Sequence, residues 1–376
     1  MKQIPNNVLQ FAGAENLAPY QMFVDYYNHF KSLNGDTKAE FQEYTSDDDG
    51  KEVKLTFAEK GDKLNAALKR EIMRVAGINS FENFPVSTWS SHPTLQWATF
   101  AVVSAMIDMI LPQSVMDITG AFAEVRNIGW GDVAEFTVKP NELFVVSKSS
   151  RLGKRTTELH KWYSGKVSVT PEPRQMTVYV SLMKVLDGKE SLAEFVQVMI
   201  RSFEHSLTLD VYNAFATAMD NIDATPVTGL KVAGYTPAEF ARLSQAVRTW
   251  NGGGNVIALG TQLALSKVLP ANANYRYDID SEFARLGYMN NYMGTSLMVI
   301  PQLANLANPF TTSVPDDRIY FVSSGGQKIV KIVLEGSTLS WQDDTYDRAN
   351  LMQVSTMYRS WGTGIVTNAV AAVMTL

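Results

Sequence analysis

The sequence has 376 residues, no Cys and a formal net charge of −5, from 33 Lys and Arg against 38 Asp and Glu. The lack of Cys excludes disulfides, thiolate metal sites and cysteine nucleophiles. A slightly acidic chain is also a poor candidate for a protein that coats nucleic acid over its whole surface. The length favours two or three domains with a core large enough to fold without a structural metal.

The N-terminus lacks the basic and apolar pattern of a secretory signal. The most apolar segment, Leu95–Leu111, is shorter than the ~20 residues of a membrane span, and Asp108 interrupts it. We expect this segment and the apolar C-terminal residues Ile365–Leu376 to lie in the core. The prediction is a protein that is soluble and intracellular where it is made.

Local patterns predict several elements in the first 112 residues. Alternation over residues 53–57 favours a strand after an Asp-Gly turn. Asp62 is the expected N-cap of an amphipathic helix that Gly77 ends. A second helix is expected over residues 94–111, ended by Pro112.

A basic segment follows, between predicted strands at residues 133–138 and 176–185. This segment, residues 139–175, contains eight Lys or Arg and three Glu, a net charge of +5, so the rest of the chain carries −10. Long loops in compact domains are usually functional or disordered. If the ends of the segment pair, it forms an extended two-stranded arm. Its basic residues are Lys139, Lys148, Arg151, Lys154, Arg155, Lys161, Lys166 and Arg174.

The clearest helix signal comes next. Ser191 and Glu194 have the spacing of a capping box, and apolar residues then recur every three or four positions as far as Met219. A helix over Leu192–Met219 would be about 40 Å long at 1.5 Å per residue. Such a helix is much longer than the average in globular proteins.

From Thr228 onward, short helices and strands alternate. A capping box at Thr236–Glu239 predicts a helix that Gly252–Gly254 ends. A further short helix is expected over Gln262–Leu269, before Pro270. Strands are expected at residues 255–259, 297–300, 318–322, 328–334 and 351–366, the third and fourth joined as a hairpin through Ser323–Gly326. The pattern indicates an α/β or α+β domain between the long helix and the returning C-terminal strands.

Catalytic and metal-binding signatures are weak. The four His residues do not have metal-ligand spacing, and the sequence motifs of nucleophile elbows, zinc proteases and phosphate loops are missing. The acidic runs at residues 47–49, 316–317 and 343–344 are interpreted as solvated turns. We therefore predict no metal site and no cofactor.

Of these features, the basic segment is the one that indicates a function. Lys161 is followed by Trp162 and Tyr163, a combination compatible with stacking on nucleic acid bases. It is equally compatible with an arm that lies across an acidic protein partner. A second copy of the chain is a complementary partner, because the remainder of each copy is acidic.

The order of these parts resembles the major capsid proteins of tailed bacteriophages, which have the Hong Kong 97-type fold. In that family an N-terminal arm precedes an extended loop, the E-loop, and a long spine helix, an axial domain and a return to the peripheral domain follow. The resemblance rests on residues 135–139 before the basic segment and 176–182 after it, on 190–196 at the start of the long helix, and on axial-type strands at 256–260 and 297–301.

This resemblance implies an α+β chain with the Hong Kong 97-type architecture. The implied parts are residues 1–121 as the N-terminal arm and helices, 122–180 as the E-loop and its flanking strands, 181–228 as the peripheral domain with the spine helix, 229–339 as the axial domain, and 340–376 as the return to the peripheral domain. The E-loop residues expected to contact another subunit are Lys148, Arg151, Lys154, Arg155, Lys161, Trp162 and Lys166.

The implied function is that of a major capsid protein without enzymatic activity, located in the virion and made in the host cytoplasm. It would assemble with itself as hexamers and pentamers around double-stranded DNA, without sequence-specific binding and without a membrane. Portal, scaffolding and decoration proteins are further partners that the family has. Two alternatives remain open: an encapsulin-like compartment shell, and an α/β enzyme or nucleic-acid-binding protein that uses residues 139–174.

Overall fold

The computed structural model describes residues 4–34, 39–46, 52–78, 93–120, 123–138, 165–181, 191–220, 229–269, 283, 285–305, 308, 310–323, 328, 330–342, 352–365 and 370–376. The chain divides into two compact units. Unit 1 comprises Met1–Asp117, Glu172–Ser206 and Leu334–Trp361, and unit 2 comprises Ile118–Pro171, Leu207–Val333 and Gly362–Leu376.

The elements are named here in chain order. The helices are α1 (Asn6–Ala12), α2 (Ala18–Leu33), α3 (Phe57–Val75), α4 (Pro93–Thr119), α5 (Leu192–Asp220), α6 (Pro237–Trp250) and α7 (Gln262–Ser266). The strands are β1 (Tyr44–Ser46), β2 (Glu52–Lys54), β3 (Ala123–Ile128), β4 (Ala134–Val138), β5 (Gly165–Val169), β6 (Glu172–Ser181), β7 (Lys231–Ala233), β8 (Val256–Gly260), β9 (Asn291–Tyr292), β10 (Thr295–Val299), β11 (Arg318–Ser323), β12 (Val330–Gln342), β13 (Met352–Ile365) and β14 (Ala372–Thr375).

Helix α3 in unit 1 begins earlier than the sequence predicts. Thr56, not Asp62, is its N-cap, and a full capping box links Thr56 with Glu59. The predicted strand over residues 53–57 is wrong at its end, since Phe57 is the first helical residue and stacks on the Tyr26 ring at 4.5 Å. The helix ends as expected, with Gly77 in the left-handed region at φ 76°, because glycine has no Cβ to oppose that conformation.

Helix α4, also in unit 1, continues through Pro112, so the predicted end at that residue is wrong. Ile110, Leu111 and Val115 are buried on either side of the proline, and their packing outweighs the lost backbone hydrogen bond. By length and composition, residues 97–117 could cross a membrane, but 72% of the most apolar window is buried inside the protein. The expectation that residues 95–111 belong to the core is confirmed.

Helix α5 confirms the long helix predicted over Leu192–Met219. The Ser191 hydroxyl accepts a hydrogen bond from the Glu194 amide at 3.3 Å, as the capping pattern requires. The apolar side chains at three- and four-residue steps are buried. They are Val196, Met199 and Phe203 in the part of α5 that belongs to unit 1, and Leu207, Val211 and Phe215 in the part that belongs to unit 2.

Unit 2 contains a six-stranded mixed sheet with the strand order β7-β14-β11-β8-β10-β9. Strand β8 is central and fully apolar, and it pairs in parallel with β10 and antiparallel with β11. Helix α6 starts where the sequence predicts, with the Thr236 side chain accepting from the Glu239 amide. Its buried residues Phe240, Leu243 and Val247 form part of the core of this unit.

A second sheet has the order β3-β12-β13-β6. The predicted hairpin between residues 318–322 and 328–334 is therefore wrong, because β11 and β12 belong to different sheets. Strand β11 pairs with β14 and β8, so the local turn signal at residues 323–326 is overridden by non-local pairing. The predicted C-terminal strand is confirmed as β13, which pairs antiparallel with β6 from Met352↔Ser181 to Trp361↔Glu172.

Candidate assembly interface

The base of the basic segment is a two-stranded antiparallel ribbon in unit 2. Strand β4 pairs with β5 from Ala134↔Val169 to Val138↔Gly165. The expectation that the ends of the segment pair is confirmed, but the partner strand is residues 165–169 rather than the predicted strand beginning at Met176, which pairs with β13 instead.

One of the seven predicted E-loop contact residues, Lys166, lies in this ribbon. Its ammonium group is 2.6 Å from a carboxylate oxygen of Glu135 on the paired strand, and both side chains are exposed. The hydrogen bond from Lys166 to Glu135 raises the pKa of Lys166. The other six, Lys148, Arg151, Lys154, Arg155, Lys161 and Trp162, lie outside the described residues.

Beneath the ribbon is a small apolar cluster. Ala134, Phe136, Val169 and Val333 are buried together, and Ile128 packs against them. Such a cluster fixes the register of a two-stranded ribbon, which is only marginally stable by itself. The ribbon is therefore seated on the body of unit 2 through its own alternate side chains.

Charged side chains surround the Phe136 ring. The Arg126 guanidinium lies 4.4 Å from the ring centroid and the Lys331 ammonium 5.5 Å from it, both within the range of cation–π attraction. Glu124 bridges these two cations with ion pairs to each of them. Partial burial raises the pKa of Glu124, but the hydrogen bonds and charges of Lys331 and Arg126 outweigh it, and the net pKa is lowered.

Two glycines of β13 permit close approach to the end of β5. A Cβ on Gly362 would lie 2.7 Å from the backbone oxygen of Thr170, and a Cβ on Gly364 would overlap the Val169 side chain. Neither glycine has a left-handed backbone, so their role here is to leave space. The sequence signal was two glycines within a predicted strand, which marks a bulge or a close backbone approach.

Unit 1 contains a buried ion pair that the sequence analysis did not identify as a site. Arg359 Nη1 lies 2.7 Å from Asp108 Oδ1. The same carboxylate accepts hydrogen bonds from the amide and hydroxyl of Thr338 and, at 2.7 Å, from Asn7. This network links α1, α4, β12 and β13 within unit 1.

Burial dominates the electrostatics of this pair. It raises the pKa of the Asp108 carboxyl, and the guanidinium of Arg359 and the donated hydrogen bonds oppose the rise. Burial lowers the pKa of Arg359, opposed by Asp108. The carboxylate oxygens receive hydrogen bonds from four donors, and these favour the ionised carboxylate. The available signal was a lone Asp in an apolar helix, since buried charges are nearly always paired.

Of the three acidic runs that the sequence analysis interpreted as solvated turns, the one that the structure describes has local contacts. Asp316 accepts from Gln302 at 2.9 Å, and Asp317 lies 3.7 Å from Arg318. Residues 47–49 and 343–344 lie outside the described residues. In the described part of the chain, His, Asp and Glu do not form a group of three that could hold a metal ion.

Comparison with known families decides the identity of this architecture. Residues 29–375 match the model of a family described as "SPbeta prophage-derived putative capsid protein YonB". The chain belongs to the YonB family. The resemblance to phage major capsid proteins is thereby confirmed at the level of the family. A search of curated proteins finds no match.

Several solved structures are similar to part of this YonB-family chain. The capsid of cyanophage P-SCSP1u has 12% identity and a TM-score of 0.46, covering 69% of this chain and 87% of that one. A chain of Mycobacterium phage Bobi has 13% identity and a TM-score of 0.46, covering 70% and 89%. The capsid of a native GTA particle has 12% identity and a TM-score of 0.45, covering 71% and 91%.

Proposed function

We propose that this capsid protein forms the head shell of a phage-like particle, assembling as hexamers and pentamers into an icosahedral shell around double-stranded DNA. Membership of the YonB capsid family, matched over residues 29–375, carries the proposal. The protein is a structural component without catalytic activity, made in the host cytoplasm and located in the virion. Portal, scaffolding and decoration proteins are its further partners.

The parts of the chain receive roles under this proposal. Residues 229–339 act as the axial domain at the centre of each capsomer, and helix α5 acts as the spine of the subunit. The basic segment 139–174 acts as the E-loop that lies over a neighbouring subunit. Its contact residues are Lys148, Arg151, Lys154, Arg155, Lys161, Trp162 and Lys166.

Charge supports an arm that contacts another copy. The segment of residues 139–175 carries +5 and the remainder of the chain −10, so the arm of one subunit is attracted to the body of the next. The ribbon of β4 and β5 is anchored by the buried Phe136 and Val169, which supplies a fixed base for such an arm. Many weak contacts, repeated over every subunit, give a closed shell its stability.

Particle formation by the purified chain is the decisive experiment. Sedimentation velocity and electron microscopy should show megadalton shells for the full chain. Discrete monomers or dimers with salt-sensitive nucleic acid affinity would favour the nucleic-acid-binding alternative instead. Uniformly small particles that contain protein cargo and no DNA would favour the compartment shell.

A matched pair of variants tests the role of the arm. Replacing Arg151, Lys154 and Arg155 by Gln should leave a folded subunit that assembles poorly. The control replaces Lys63, Arg70 and Lys267, which are exposed on other elements, by Gln. Both variants change the net charge equally, so equal assembly of the two would contradict a specific role for the arm.

A further inference from the structure

The most exposed apolar side chain among the described residues is Phe310, in unit 2. Its exposed fraction is 96%, more than that of Val133 or Trp341 at 70% each. Phe310 belongs to the loop that follows β10, and the described residues of that loop, 301–305, 308 and 310–315, are called the Phe310 loop here. A fully exposed Phe is costly in water and is typical of a binding anchor when its backbone is fixed beforehand.

Side-chain hydrogen bonds of Gln302 fix the base of the Phe310 loop. Its amide nitrogen donates to the Val314 carbonyl and to the Asp316 carboxylate, each at 2.9 Å. Its amide oxygen accepts from the Val314 backbone at 3.0 Å and from the Leu303 backbone at 3.1 Å. One glutamine thus closes the two ends of the loop on each other.

Backbone hydrogen bonds continue this order toward Phe310. Ser313 donates to Leu303 at 2.8 Å, and Ala304 and Thr312 form an antiparallel bridge. Next to Phe310, both the amide and the hydroxyl of Thr311 donate to the Asn308 carbonyl. These hydrogen bonds hold the described residues at the base of the loop and the backbone next to Phe310, which lowers the backbone entropy that binding through Phe310 would cost.

The charge pattern around this loop indicates which partner it meets. Residues 286–315 contain no Asp, Glu, Lys, Arg or His, the longest stretch of the sequence without a charged side chain. Around a rotation axis, identical segments approach each other, and any charge there would face its own copy and be repelled. An uncharged loop that exposes an aromatic side chain suits a contact between identical copies.

We propose that Phe310 anchors a contact between copies of this chain, in which Phe310 loops of neighbouring subunits meet around a rotation axis. This inference rests on the proposed function as a self-assembling shell and names a contact within it. Nucleic acid is a poorer partner, since aromatic stacking sites for it are accompanied by basic residues, and the first charges after the loop are Asp316 and Asp317.

Charge substitutions at Phe310 test whether the Phe310 loops of identical copies contact each other. Phe310→Glu and Phe310→Lys, each alone, should weaken association by roughly tenfold or more, as expected for loss of an interface anchor. An equimolar mixture of the two variants should restore assembly, because opposite charges then meet at the axis. Phe310→Leu keeps the apolar anchor and should assemble like the unmodified chain.

Circular dichroism spectra and thermal unfolding of the variants should match those of the unmodified chain, because the Phe310 side chain is exposed and contributes little to the core. If the unmodified chain forms no shells, the proposed function fails. If it does and both charged variants assemble equally well, the Phe310 contact is wrong. If both variants fail and their mixture also fails, Phe310 contacts a different surface, and the meeting of identical loops is wrong.

Discussion

At the scale of single residues, the buried pair of Asp108 and Arg359 is expected to make a large contribution to the stability of unit 1. Asp108→Ala leaves the Arg359 guanidinium buried without its partner, and the expected loss is about 3–5 kcal/mol of the free energy of unfolding. Denaturant titration of the purified chain measures it directly.

Asp117→Ala is the matched control for that substitution. Asp117 lies on the same helix, α4, but is exposed, and its replacement should change the free energy of unfolding by less than about 0.5 kcal/mol. Equal effects of the two substitutions would show that the Asp108 network contributes nothing beyond helix propensity.

Glu124 gives the base of the β4–β5 ribbon a dependence on pH. Since Lys331 and Arg126 lower the pKa of Glu124 in the folded chain, its stabilising effect is complete above its ordinary pKa of about 4.3 and is lost as the pH falls through the lower folded value. The difference in unfolding free energy between the unmodified chain and Glu124→Gln should therefore be constant from pH 7 to about 5 and shrink at lower pH. A difference that grows in acid would contradict this ion pair.

At the scale of elements, the same substitution should have opposite effects at two glycines. Gly362→Ala places a Cβ against the Thr170 carbonyl and should cost about 1–3 kcal/mol, with faster hydrogen exchange in β5. Gly61→Ala lies inside α3, where the nearest atom, on the Tyr26 ring, would be 3.6 Å away, and should stabilise by about 0.5–1 kcal/mol. Denaturant unfolding of both variants measures the signs, and a stable Gly362→Ala variant would refute the close approach.

Elements with strong local signals were predictable, and those decided by distant contacts were not. The spacing of apolar residues located α5, because its buried face repeats from Val196 to Phe215. The hairpin predicted from the turn signal at residues 323–326 was wrong because β11 pairs with β14, about fifty residues away. The helix end predicted at Pro112 was wrong because the packing around α4 is a tertiary effect, which the local sequence does not show. The sequence shows Asp108 only as a charged residue within an apolar segment. Its partners could not be predicted because they lie more than a hundred residues away in sequence.

At the scale of the whole molecule, the two proposed contacts between subunits have different physical origins. The proposed contact of the basic segment would act through charge, since that segment carries +5 and the rest of the chain −10, whereas the proposed contact of the Phe310 loop would act through an exposed apolar side chain. Electrostatic attraction accelerates association and depends on salt, while apolar contact is much less sensitive to it. Salt therefore separates the two contributions in one assembly experiment.

Raising sodium chloride from about 0.1 M to about 1 M shortens the screening length from about 10 Å to about 3 Å. Assembly of the full chain, followed by light scattering, should become slower and less complete over this range. The variant with Arg151, Lys154 and Arg155 replaced by Gln should start lower and change less, because it has lost charges that salt would screen. The mixture of Phe310→Glu and Phe310→Lys chains should be more salt-sensitive than the unmodified chain, since it replaces an apolar contact by a charged one. Equal salt responses of all three would show that the +5 segment does not direct assembly.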